Sequence, residues 1–329
     1  MRKLLLAGLI GAVLASGLAA FPWVPVAASE AGASTISYAY VTSLSTLSIV
    51  NSSTNRVVKT VGLGIFPSGI ALTPDRSDAY VTNWESNTVS VFKISTDKVV
   101  KTVSVGTGPS WIAITPNGRD AYVTNSISNT VNVIDTSTNS VVKTVPVDSV
   151  PNSIAITPDG SYAYVANDGS GTVSVIKTST NAVVKTVRID GAPFGIAITP
   201  NGRDAYVANF GSNTVNVIDT STNSVVKTVP VGTNPLGITI TPNGSDAYVT
   251  NYTSDSVSVI KTSTDKVVNT VSVGVNPGGL AITPNGSDAY VGNWESGTMS
   301  VIETSTNKVV KTVKVGLGVN KGPTAVAIT

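Results

Sequence analysis

Neither cysteine nor histidine occurs anywhere in the chain, and their absence removes a large part of enzyme chemistry. Without them there are no disulfides, no thiol nucleophile, no zinc site of the usual kind, no Ser-His-Asp or Cys-His pair, and no lipid-modified cysteine anchor. Stability must come from burial and the closure of the fold on itself, because no covalent staple is available. Charge is scarce too: only 12% of residues are charged, with 21 Lys and Arg against 19 Asp and Glu and no basic tract, so a nucleic-acid partner is not expected. Nothing in the composition calls for a metal or a cofactor.

Long apolar runs are missing except for one at the start. Met1-Arg2-Lys3 is a charged lead, Leu4 to Ala20 an apolar stretch, and Val26-Ala27-Ala28 a small-residue cleavage site, the pattern of a secretory signal. The expectation is a leader over 1–28, a short linker over 29–35 and one domain over 36–329. The protein is then secreted, cell-surface or periplasmic and does not insert in a membrane after cleavage. A retained membrane anchor is the alternative, because the run approaches the roughly 20 residues that span a bilayer.

What is abundant is Val, Ile, Thr, Ser, Asn and Gly, the residues of strands and tight turns. Tyr40, Tyr80, Tyr122, Tyr164, Tyr206, Tyr248 and Tyr290 mark one recurring position, and the last five intervals are each 42 residues. Each unit reads as four short strands, A to D, as in Ile112 to Thr115, Ala121 to Asn125, Thr130 to Asp135 and Val141 to Val147. Thr115-Pro116-Asn117-Gly118 supplies a tight A–B turn, and a Thr-Ser-Thr-Asn turn joins C to D. Seven such units predict an all-β, seven-bladed β-propeller with four antiparallel strands per blade. The first unit enters at strand B and the chain stops on a strand A, Val326-Ala327-Ile328-Thr329, so the closing blade combines three N-terminal strands with one C-terminal strand. Lys59, Lys101, Lys143, Lys185, Lys227 and Lys311 share one position on strand D, where charge blunts an outer edge.

Tyr80-Val81-Thr82-Asn83, repeated at Tyr122 and Tyr248 and varied at Tyr164, Tyr206 and Tyr290, resembles the motif of the YVTN β-propeller family of surface-layer proteins. The likeness spans essentially the whole mature chain. It implies the propeller fold. It leaves function open, since such propellers are scaffolds, binding proteins or, in related seven-bladed groups, lactonases or lyases.

The A–B and C–D turns fall on one face of such a ring and barely vary, which turn geometry alone requires. Asp120, Asp204, Asp246 and Asp288 beside them read as turn caps. The B–C and D–A loops on the other face differ from copy to copy. They carry Trp84, Glu85, Trp111, Asp168, Phe194, Phe210, Tyr252, Trp294 and Glu295, the candidate ligand or partner residues, with Phe66 beside them. The irregular copy is the closing blade, with a shorter B–C loop and a longer D–A loop over 316–323, flanked by the two Trp-Glu pairs. The main expectation is a non-enzymatic, exported binding scaffold presenting these aromatic rings to a cell-envelope glycan, polymer or protein. One alternative is a lactonase- or lyase-like enzyme using Glu85, Asp168 and Glu295 as acid, base or metal ligand. The other is a surface-layer module without ligand.

Overall fold

A computed structural model describes residues 38–43, 45–315 and 325–329. The leader expected at 1–28, the linker at 29–35 and the long loop at 316–323 lie outside the described residues. The rest forms seven four-stranded antiparallel sheets. Blade 1 is built from Ala325–Ile328 as strand A, with Tyr38–Ser43, Thr46–Asn51 and Arg56–Gly62 as B, C and D. Blades 2 to 7 follow in chain order, each with its own strands A to D. Strand A of every blade packs against strand A of the next, and Ala325–Ile328 touches both blade 7 and blade 2, so the A strands line the axis and the ring is closed.

Within a blade, strands A, B and C are almost wholly buried, whereas strand D alternates little and stays exposed, as in Lys98–Ser104. The cause is packing: A, B and C are covered on both faces by neighbouring blades, while D lies at the rim with one unpaired edge. The lysines predicted there do sit on exposed strands, together with solvent-facing valines such as Val58 and Val226.

Each letter of the recurrent motif has a mechanical task. In blades 2 to 7 the tyrosine hydroxyl reaches the next blade: Tyr80 donates to Asn139 Oδ1 (2.6 Å), Tyr164 to Asn223 Oδ1 (2.6 Å), and Tyr290 closes the circle on Asn55 Oδ1 (2.8 Å). Those acceptors occupy C–D turns with φ of 52° and 53°, a conformation Asn tolerates better than most residues. The threonine ties to the inner strand of the next blade, as in Thr124 Oγ1 to the Asn152 carbonyl at 2.6 Å. The asparagine pins strand B to C, as in Asn83 Nδ2 to Ser90 Oγ at 2.9 Å.

Strand A differs from its sequence reading. It starts at Pro109, three residues earlier than Ile112, because Pro109 pairs with Asn125 and Ile112 with Val123, leaving a bulge between them. The proline's missing N–H is harmless at the first residue of a strand. The bulge matters because it carries Ser110 and Trp111 to the axis.

Candidate functional site

The loop face has a constant backbone and variable side chains. In blades 2 to 7 the first B–C residue gives its N–H to a carbonyl just before strand A: Trp84 to Phe66, Ser126 to Gly108, Asp168 to Val150, Phe210 to Ala192, Tyr252 to Asn234 and Trp294 to Asn276, all at 2.8 to 3.0 Å. Five of the residues whose carbonyls accept these bonds sit at positive φ, where Gly or Asn is comfortable, and Gly108, Asn234 and Asn276 meet that demand. Phe66 does not, and neither does Val150. Its φ of 53° puts a β-branched residue in the left-handed region, a strained arrangement, and its carbonyl is the one that holds Asp168.

Asp168 opens a short 3-10 turn, Asp168–Ser170, closed by Gly171 at φ 62°. Burial pushes its carboxyl up to about 6, opposed by a side-chain hydrogen bond from the Asn152 amide. Asn152 stands on strand A at 1% exposure, and its own Oδ1 has no partner. A half-buried acid and a buried amide are thus held together, and one atom of the amide is unsatisfied. Such a pairing suits proton transfer near neutrality.

The mouth around them is two-sided. In blades 2 to 4 the second residue of strand A is Ser68, Ser110 or Asn152; in blades 5 and 6 it is Phe194 or Leu236, all buried. Trp111 of blade 3 reaches past blade 4 to meet Phe194 of blade 5 edge-on, with centroids 5.6 Å apart, and Phe194 meets Phe210 at 6.3 Å. This aromatic chain crosses the inside of the blade that bears Asp168. Trp84 Nε1 donates to Ser126 Oγ (3.3 Å), which donates to the Gly108 carbonyl (3.0 Å). Tyr252 is half-buried, and burial together with the negative charge of Glu295 raises its hydroxyl pKa.

The predicted residues therefore separate into groups. Trp111 and Phe194, expected on a presented aromatic surface, are instead buried at the axis, because the bulged inner strands face one another across a narrow ring. Phe210, Tyr252, Trp84 and Trp294 are half-buried and remain at the mouth. Glu85 and Glu295 are exposed, on blades 2 and 7 either side of blade 1, and do not join Asp168. Asn152, Ser126 and Val150 were not among the predicted site residues. The valine left no distinct trace in sequence, because the corresponding positions hold Phe66, Gly108, Ala192, Asn234 and Asn276.

On the opposite face, Asp78 and Asp246 pair with Lys93 and Lys261, as caps rather than as a metal site. A recess of about 350 Å³ between blades 2 and 3 has a twin of about 330 Å³ between blades 6 and 7. Repetition marks them as products of the turn geometry. Among the described residues no cluster of acidic groups could hold a metal ion.

Residues 70–232 match the family model Lactonase, 7-bladed beta-propeller. That span contains both Asn152 and Asp168. No curated protein matches the sequence. Among solved structures, hydrazine synthase of Kuenenia stuttgartiensis is similar at 25% identity and TM-score 0.70, covering 77% of this chain and 87% of that one. A protein of unknown function from Desulfotomaculum acetoxidans superposes at TM-score 0.78 with 21% identity, over 88% of this chain and 98% of that one. A Bacteroides fragilis protein provisionally assigned as a 6-phosphogluconolactonase gives TM-score 0.75 with 18% identity, over 92% of this chain and 100% of that one. The last two likenesses speak for the fold. The lactonase match overturns the expectation of a non-enzymatic binding scaffold and favours the enzyme alternative.

Proposed function

We propose that the propeller is a lactone hydrolase whose general base is Asp168. The observation that carries this reading is the Asp168 carboxyl, lifted to about 6 by burial and steadied by Asn152. Above that pH it is a carboxylate, basic enough to take a proton from water yet ionised at neutrality. The water oxygen adds to the lactone carbonyl, the ring C–O bond breaks, and the proton held by Asp168 passes to the departing alkoxide, giving a hydroxy acid. Asn152 fixes the carboxylate's direction. The family match supports the reaction class. With no histidine in the chain, a carboxylate is the natural proton carrier.

Two finer readings are part of the proposal: membership of the YVTN group, supported by the Tyr-Val-Thr-Asn repeats, and a site outside the cytoplasm, supported by the leader pattern of residues 1–28.

The test is hydrolysis of a panel of γ- and δ-lactones followed by pH-stat. Turnover should fall below about pH 6, and Asp168→Asn should lower kcat by roughly 10²- to 10⁴-fold. No hydrolysis above the blank, or an equally active Asp168→Asn protein, would sink the proposal.

A further inference from the structure

The lactonase-like proteins nearest in name act, by that name, on a phosphorylated sugar lactone. The loops of this chain are built for something else. Between strands, the B–C and D–A loops among the described residues carry six carboxylates, Glu85, Asp148, Asp168, Asp190, Asp255 and Glu295, and no Lys or Arg. The one lysine the sequence adds to a D–A loop, Lys321, lies outside the described residues and leaves the balance negative. The nearest cations by position, Arg188 and Lys314, end the outermost strands D and are exposed. Three strand spacings of about 4.8 Å separate strand D from strand A, roughly 14 Å, beyond the screening length at physiological salt. Among the described loop residues, a phosphate or carboxylate group at the mouth would meet no charge-assisted donor and several like charges.

The other half of the mouth is apolar. Half-buried Phe210, Tyr252 and Trp294 succeed one another over blades 5 to 7, backed by the buried Phe194 and Leu236, across from the polar arc of Ser110, Ser126, Asn152 and Asp168 on blades 3 and 4. A ligand seated there has its ester ring toward the polar arc and its remainder against aromatic surface. Resting on the hydrolase reading, we infer that the substrate is an uncharged lactone bearing an apolar substituent, and that phosphorylated lactones are excluded.

The experiment uses the full chain and matched pairs. Glucono-δ-lactone is compared with its 6-phosphate, and γ-lactones with alkyl substituents of two to eight carbons form a second series. The expected result is a kcat/KM at least about 100-fold higher for the uncharged member. In the second series kcat/KM should rise two- to fourfold per methylene, a dependence flattened by Phe210→Ser. The double variant Glu85→Lys, Glu295→Lys should raise turnover of the phosphate. Equal or faster hydrolysis of the phosphorylated lactone, or no response to chain length, overturns the inference. Tryptophan-fluorescence titration with the corresponding lactams reads the same preference without turnover. Lactam binding that favours long, uncharged members while no lactone is hydrolysed supports this ligand class and defeats the hydrolase reading; tighter binding of the anionic lactam, or none of either, defeats the inference.

Discussion

Asp168 is a residue on which burial and ionisation disagree, and the disagreement has a sign. Its folded pKa of about 6 lies above the ordinary 3.8, so the fold binds the proton more tightly than the unfolded chain does. The carboxyl therefore favours the fold fully below about pH 4, and that contribution is lost as pH rises to about 6 and stays lost above it. The difference corresponds to roughly 3 kcal/mol at 1.36 kcal/mol per pH unit. Asp168→Asn should then be more stable than the parent by up to about that amount at pH 7, while both are closer at pH 4. Urea denaturation at the two pH values measures it; an Asn variant that is destabilised at pH 7 would contradict the burial argument. Val150 is the second conflict. Val150→Asn should gain about 1 kcal/mol by relieving the left-handed strain, read as a shift in urea midpoint with unchanged m-value.

At the scale of strands and blades, contact between repeats decides stability. The Tyr164 hydroxyl is held by the αL Asn223 of the following blade, so Tyr164→Phe leaves that amide oxygen short of a donor and should cost about 1 to 2 kcal/mol, measured by chemical denaturation. Gly195 allows another close approach: a Cβ there would run into the Leu236 carbonyl on the neighbouring inner strand, a backbone atom that cannot swing aside. Gly195→Ala should destabilise by about 1 to 3 kcal/mol, visible as a lower Tm. Strands of this kind were largely readable from sequence. Thr130–Asp135 has the bounds that alternation and the flanking turns predict, and Ser140–Pro146 is displaced by one residue. The bulge at Ser110 and Trp111 was not readable, because two residues after a proline look like loop until a partner strand is known. The site suffered more from this than the fold did. Trp111 and Phe194 stand two repeats apart, and no local spacing says that they meet across the axis. Asn152 passed as another loop asparagine in a chain full of them, and only its hydrogen bond to Asp168 distinguishes it, since the motif asparagines also have an unpartnered Oδ1.

For the whole molecule, closure rests on one short strand. Ala325–Ile328 pairs with Tyr38–Ser43 and packs between blades 7 and 2, and Tyr290 adds its hydrogen bond to Asn55 across the same junction. Deleting residues 325–329 should uncover the inner faces of both neighbours and abolish the single cooperative transition, as followed by circular dichroism and gel filtration. A truncated chain that still unfolds in one sharp step would show that the ring does not need its closing strand.

That junction also has a direction. The ladder runs antiparallel, with Ala39 opposite Ile328, and beyond it Thr329 donates its N–H to the Tyr38 carbonyl while Tyr38 donates its own to Thr329 Oγ1. Residues 38 and 329 therefore leave the sheet side by side at one end. Tension applied through them would strain the bonds one after another, as a zip opens, instead of all together in shear. A ring held together by burial would thus come apart under a modest pull, starting at the place where it was joined.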